Sequence, residues 1–222
     1  MDKYTWSDPP SHTAFPVATA GYPFIFAAGF VTAVFALLEL TVLALVGLVV
    51  TFFICYFFRD PDRVIPNYSG CVVSPADGKI IWAGPVDNGL FFEGSCLKIS
   101  IFMSVFNVHV NRIPHDGQIK AVSYHPGKFF SANLDTASKH NEHNAVFLET
   151  DQGQPICFVQ IAGLIARRII CKVQEGDEVV RGQRFGLICF GSRLDVYLPL
   201  ETKLKVGIGD IVMAGTSVLG DL

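Results

Sequence analysis

The 222-residue chain is half hydrophobic, carries charge on only 17% of its residues and has a mean hydropathy of +0.41. That length holds one substantial domain with an appendage, and the composition is more apolar than an ordinary soluble domain. A net charge of −3 supplies no basic field, which argues against a nucleic-acid partner.

Residues 1–23 form a polar, proline-bearing segment without the basic start, short apolar core and small-residue cleavage site of a secretory signal. Residues 24–58 are apolar throughout except for Glu39. A single helix of that length would run about 50 Å, against a hydrocarbon core of about 30 Å. Two shorter helices, Phe24–Leu38 and Leu40–Phe57, fit better, with Glu39 at the turn. A buried hairpin in a soluble protein is the competing reading. In a membrane, Glu39 would be costly at mid-depth and tolerable at a turn near the far interface. Lys3 before the hairpin and Arg59 and Arg63 after it put both ends on the cytoplasmic side. The expected arrangement is a tight or re-entrant hairpin in the cell membrane, in contact with bilayer lipid, and a cytoplasmic domain over 59–222. Pro61 and Pro66 stop the helix.

From Gly70 the texture becomes β-rich with glycine punctuation. Cys71–Val73, Lys79–Ala83, Leu97–Phe106, Val146–Glu149 and Ile156–Ile161 read as strands, and 133–144 has the best helical periodicity. The six cysteines show no CxxC pair and read as reduced, mostly buried thiols, with no metal site implied. One repeat stands out. Gly176-Asp177-Glu178-Val179-Val180-Arg181-Gly182 recurs as Gly209-Asp210-Ile211-Val212-Met213-Ala214-Gly215. This G-D-x-V-x-x-G element resembles the hairpins of lipoyl- and biotinyl-type barrel-sandwich domains. The fold class expected is therefore mainly β, barrel-sandwich-hybrid-like, with an N-terminal hydrophobic helical hairpin.

Several stretches could carry chemistry. Ser74-Pro75-Ala76-Asp77-Gly78 is a turn between strands. Alternation along Asn107-Val108-His109-Val110-Asn111 puts Asn107, His109 and Asn111 on one face, either a site or a solvated strand end. His109 is the natural base near neutral pH. His115, His125, His140 and His143 are scattered and read as surface or loop residues. Arg167 and Arg168 could hold a phosphate or carboxylate through forked hydrogen bonds.

Taken in order, Phe106–Pro114, Tyr124–Phe129, Gln160–Gly163 with Arg167-Arg168, Arg181–Gly186 and Phe190-Gly191-Ser192-Arg193 followed by Asp195–Pro199 resemble the short, pyruvoyl-dependent phosphatidylserine decarboxylase proenzymes. The resemblance runs from about Arg59 to the C-terminus. It implies autocatalytic serinolysis between Gly191 and Ser192, giving a β chain (1–191) and an α chain (192–222) that stay together as a heterodimer. Ser192 would become the covalent pyruvoyl cofactor, forming a Schiff base with the amine of phosphatidylserine to yield phosphatidylethanolamine. It makes Asp77 the acidic member of the self-cleavage machinery, a carboxylate that orients and charges the histidine, and His109 the base. Arg112 stands where longer members carry a second histidine, and Thr136 where the family more often has lysine. Arg112, Arg167, Arg168 and Arg193 are candidates for holding substrate. The same headgroup chemistry would serve an archaeal-type ether lipid. Two rivals come from other classes. A membrane-tethered lipoyl- or biotinyl-like carrier needs a modified lysine at a hairpin tip, but Lys203 and Lys205 lack the flanking pattern. A β-sheet zinc peptidase needs a second histidine where Asn111 stands.

Overall fold

The computed structural model describes residues 16–87, 94–131, 140–164, 168–189 and 191–222, together with the backbone of 4–5. Two compact units emerge, Ser11–Asp62 and Arg63–Leu222 together with Met1–Pro10.

The first unit is a pair of helices, α1 (Tyr22–Leu37) and α2 (Thr41–Phe57). Glu39 takes the left-handed conformation between them, with φ 59°. That is the turn expected from the one charged position in the apolar run. The helices pack closely: the Thr32 and Thr51 hydroxyls lie 3.3 Å apart, and a side chain at Gly47 would strike Thr32. Their outer surfaces are apolar and uncovered, with Phe26, Phe30, Val42, Val49 and Phe52 each more than 65% exposed. The helical segment Thr19–Leu37 is long and apolar enough to cross a membrane.

The second unit is built on an eight-stranded antiparallel sheet. Its order is Glu178–Val179, Gly117–His125, His143–Glu149, Pro155–Ala162, Ser192–Leu198, Cys96–Met103, Gly78–Val86 and Ile211–Val212. Two three-stranded sheets complete it. One runs Ile169–Cys171, Arg184–Ile188, Val110–Arg112, and the other Lys203–Leu204, Val218–Asp221, Cys71–Val73. This is the mainly β architecture expected from the sequence. All six cysteines are free.

The Ser192–Leu198 strand is central and wholly buried. Its side chains alternate between two environments. Leu194, Val196 and Leu198 enter the main core with Ile99, Ile101, Val146 and Phe158. Tyr197 enters a smaller cluster with Cys157, Val159 and Ile161. By the same alternation Ser192 faces the main core and Arg193 the other side.

The repeat occupies both edges of the large sheet. Glu178–Val179 pairs with Gly117–Gln118 at one edge, and Ile211–Val212 pairs with Gly78–Lys79 at the other. Gly176, Gly182, Gly209 and Gly215 all have φ between 74° and 101°, a region that favours glycine.

Two local expectations change. Of the helix expected over 133–144, residues 133–139 lie outside those described, and from His143 the chain is already strand. The long run Leu97–Phe106 ends as strand at Met103, because Asn107 folds back on it. The Asn107 side-chain oxygen accepts both the N–H and the hydroxyl of Ser104 at 2.8 Å, closing a turn.

Candidate active site

Gly191 and Ser192 lie at the entrance to the central strand. Ser192 is fully buried and stands opposite Met103 on one neighbouring strand and Ala162 on the other. Its hydroxyl donates to the Met103 sulfur at 3.3 Å. Gly191 has φ 69°, yet no heavy atom lies within 4 Å of where a Cβ would stand. The demand for glycine is therefore conformational rather than steric: the peptide on the N-terminal side of Ser192 enters the strand from a left-handed turn.

His109 is fully buried, and its carbonyl accepts the Ile188 N–H at 3.4 Å. The Val110–Arg112 strand thus runs beside the segment that leads into Gly191. Val108, His109, Val110, Asn111 and Arg112 are all buried, so the expected solvent-facing alternative for this row does not occur. The turn at Asn107 removes that residue from the alternation. Asn111 remains beside the site, its amide nitrogen 3.9 Å from the same Met103 sulfur.

Asp77 is 7% exposed, and its carboxylate accepts from the Ala214 N–H at 2.7 Å and from Arg63 Nη2 at 3.0 Å. Its hydrogen bonds among the described residues go to these two groups and not to His109.

The four candidate arginines part company. Arg193 faces away from Ser192 and makes a buried two-pronged pair with Asp195, at 2.6 and 2.9 Å, joined by Ser100 and Lys98. Arg112 is buried and donates to the Gly182 carbonyl at 2.8 Å. Arg167 lies outside the described residues. Arg168 is exposed, and its carbonyl accepts the Cys189 N–H at 3.2 Å, two residues before Gly191.

The surroundings restrict rival chemistry. Burial pushes the Cys189 thiol upward despite the opposing charge of Arg168, so it stays protonated near neutral pH. His143, expected at the surface, is buried and stacked on His125 with ring centroids 4.8 Å apart. Burial lowers its pKa, and its Nδ1 bonds the Asn141 carbonyl at 2.7 Å.

Sequence reasoning missed a buried amide chain behind Ser192. Asn144 Nδ2 donates to Gln160 Oε1 at 3.3 Å, and Gln160 Nε2 donates to Asn111 Oδ1 at 2.9 Å. Gln160 was visible only as part of a motif. Its partners come from three other strands, and no spacing rule joins them.

The match to the phosphatidylserine decarboxylase family covers residues 50–220. The chain belongs to the phosphatidylserine decarboxylase family. It is 50% identical over 207 residues to the phosphatidylserine decarboxylase proenzyme of Desulfotalea psychrophila, covering 93% of this chain and 97% of that one. The corresponding proenzyme of Syntrophus aciditrophicus is 51% identical over 211 residues (94% and 98% covered). That of Rickettsia felis is 49% identical over 202 residues (89% and 87%).

Proposed function

We propose that the chain is a proenzyme that cuts itself between Gly191 and Ser192 and then decarboxylates phosphatidylserine to phosphatidylethanolamine in phospholipid biosynthesis. The observation that carries the reading is a buried serine entering the central strand from a left-handed glycine, in a chain matched to this family along most of its length.

In this reading His109 takes the Ser192 proton, and the Ser192 oxygen attacks the Gly191 carbonyl carbon. The Gly191–Ser192 amide becomes an ester. Elimination releases the Gly191 carboxylate, which keeps the serine oxygen, and leaves dehydroalanine; addition of one water to its imine tautomer expels ammonia and leaves a ketone at position 192. Asp77, held by Arg63 and the Ala214 N–H, supplies negative charge on the turn next to the Val110–Arg112 strand, whose Arg112 N–H bonds the Pro75 carbonyl. A pyruvoyl group would fit the position: its methyl would replace the fully buried Ser192 hydroxymethyl side chain, and its ketone oxygen would stand on Cα in place of the amide nitrogen. That pyruvoyl group supplies an electron sink for carbon dioxide loss. In this reading exposed Arg168, beside the segment entering the site, holds the anionic headgroup.

The two products of cleavage remain assembled. The 192–222 segment is held by ladders to Leu97–Met103 and Cys157–Ala162. Leu194, Val196 and Leu198 are fully buried, each worth about 1.5–3 kcal/mol. The apolar hairpin suits a lipid substrate, anchoring the enzyme in the membrane with the β unit on the cytoplasmic side. Replacing Ser192 with Ala tests the reading: one uncut, inactive chain is expected, and normal cutting would contradict it.

A further inference from the structure

Strand register brings several loops to one end of the large sheet. Ser192 opens its strand opposite Met103 and Ala162, which close theirs. His143 opens its strand opposite Ile161 and His125. Segments 104–107, 126–131 and 163–164 therefore leave the sheet at the Ser192 end. Arg168 reaches the same end through its bond to Cys189, two residues before Gly191. Each of the three segments turns a large apolar side chain outward: Phe106 is 65% exposed, Phe130 41% and Leu164 63%. Lys128 and Arg168 are exposed among them, and Lys128 Nζ lies 6.0 Å from the Phe130 ring centroid. The neighbouring carboxylate, Glu142, is half-buried. The turns at the other end of the same strands expose Asp87, Asp151 and Glu201 instead.

The apolar side chains are held out by their own loops. Phe106 sits in the turn that Asn107 closes on Ser104. Asn141 accepts the Phe130 N–H at 3.0 Å and donates to the Phe130 carbonyl at 2.7 Å and the Ala162 carbonyl at 2.8 Å. One amide thus clamps the Phe130 loop to the strand end opposite Ser192. A side chain at Gly127 would strike the backbone of residues 140–142, so the two segments lie close together. Single exposed apolar residues are ordinary on a protein surface. Three on fixed loops around one strand end, with cations between them, form the composition of a membrane-interface surface.

Resting on the decarboxylase reading above, we propose that this end of the β unit is a bilayer-docking surface. Phe106, Phe130 and Leu164 enter the acyl boundary of an anionic bilayer, and Lys128 and Arg168 lie at its phosphates. The serine headgroup is only a few bonds long, while the acyl chains of its lipid stay in hydrocarbon. Chemistry at position 192 therefore brings this end of the sheet down onto the bilayer surface. The charges agree: cations at this end meet anionic lipid, and the carboxylates at the far end point away from it. The contact belongs to the β unit and is separate from the apolar helices, which anchor the chain but do not aim its site.

The test uses the full-length, self-processed chain in vesicles of phosphatidylcholine and phosphatidylglycerol with brominated acyl chains. Phe106→Trp, Leu164→Trp and Leu200→Trp are made singly in a chain carrying Trp6→Phe and Trp82→Phe. Leu200 is 47% exposed and lies at the far end of the central strand. Bromine is expected to quench most of the indole emission at positions 106 and 164 and little at 200. Equal quenching at all three, or none at 106 and 164, would overturn the proposal; the second result is the one expected if another copy of the chain covers this surface. Kinetics give the second measurement. Phe106→Ser combined with Leu164→Ser is expected to process to two chains and to slow turnover of dilute phosphatidylserine in vesicles about 10–10²-fold. Turnover of water-soluble dihexanoyl phosphatidylserine should stay at the wild-type rate. Equal loss on both substrates would overturn the docking role, because the residues would then serve the chemistry. If the double variant fails to fold, the quenching decides. A wild-type chain that stays whole overturns the underlying reading and is seen first in the intact mass. The docking surface is judged apart from it, because uncut Ser192→Ala is expected to give the same quenching pattern.

Discussion

Two regions of the β unit are copies of one device. Around Asp116, Pro114-His115-Asp116-Gly117-Gln118-Ile119 is followed later by the element Gly176–Gly182; around Asp77, Pro75-Ala76-Asp77-Gly78-Lys79-Ile80 is followed by Gly209–Gly215. The bonds correspond atom for atom. Gly176 N–H donates to the Ile119 carbonyl and Gly209 N–H to the Ile80 carbonyl, both at 2.8 Å. Asp116 accepts the Arg181 N–H and Asp77 the Ala214 N–H, both at 2.7 Å. Much of what Asp77 does is thus the ordinary work of its twin, which caps a turn. The copies differ in the cation. Arg181 belongs to its own copy and is nearly buried, donating to Asp116 and to the Tyr68 and Cys71 carbonyls. The matching position in the other copy is Ala214, and Asp77 takes Arg63 instead. Any chemistry special to Asp77 must come from this exchange and from its nearness to the Val110–Arg112 strand, not from its backbone bond.

Cleavage rates should separate the twins most strongly. Asp77→Asn keeps an acceptor for the Ala214 N–H but loses the charge, and is expected to slow self-cleavage about 10²–10⁴-fold. Asp116→Asn should cut at nearly the wild-type rate. Equal slowing, measured by gel or mass time courses, would make Asp77 a structural residue only.

Stability should rank the cations in the reverse order. Arg181→Ala strands two backbone carbonyls and an aspartate, and is expected to cost about 3 kcal/mol by denaturant unfolding of the isolated β unit. Arg63→Ala should cost less, about 2 kcal/mol, because Arg63 bonds the Asp77 carboxylate and the Met213 sulfur and its loss strands no backbone carbonyl. If Arg63→Ala proves the more damaging, the two pairs are not equivalent in the way described.

Gly191→Ala should be milder still. The added methyl meets nothing, but a non-glycine residue at φ 69° costs about 1–2 kcal/mol. Cleavage should slow roughly 10-fold and remain measurable; complete loss would point to a steric role that the geometry does not show.

The smallest effect concerns His115, whose twin is Ala76. Burial lowers the His115 pKa, so the unfolded chain takes up a proton there before the folded chain does. The contribution to stability is complete above the ordinary histidine value of about 6.5 and is lost as pH falls from there through the folded-state value. His115→Ala should flatten that part of the pH dependence and His143→Gln, for the same reason, another part. Unchanged slopes in thermal unfolding from pH 7.5 to 5 would contradict it.

These comparisons also show what could be read from the sequence. The hairpin was legible because a membrane-length apolar run holds one charge, and Glu39 does turn the chain. The G-D-x-V-x-x-G halves of the duplication were legible because their offset is constant. The Pro-x-Asp-Gly-x-Ile halves repeat at a different offset, so no single alignment of the chain on itself exposes both. Strand alternation sends Ser192 and its neighbour Arg193 to opposite faces, a separation that residue order alone does not display. The Asn111–Gln160–Asn144 chain depends on strand pairing between distant segments, which local pattern does not carry.

The central claim is that Ser192 is both the cutting nucleophile and the source of the cofactor. Intact-mass spectrometry of the purified, active protein tests it directly. Two chains are expected, 1–191 and 192–222, the smaller lighter by one ammonia than a peptide beginning with serine and refractory to Edman sequencing. A single active chain of 222 residues, or a small chain with a free serine amine, would contradict it.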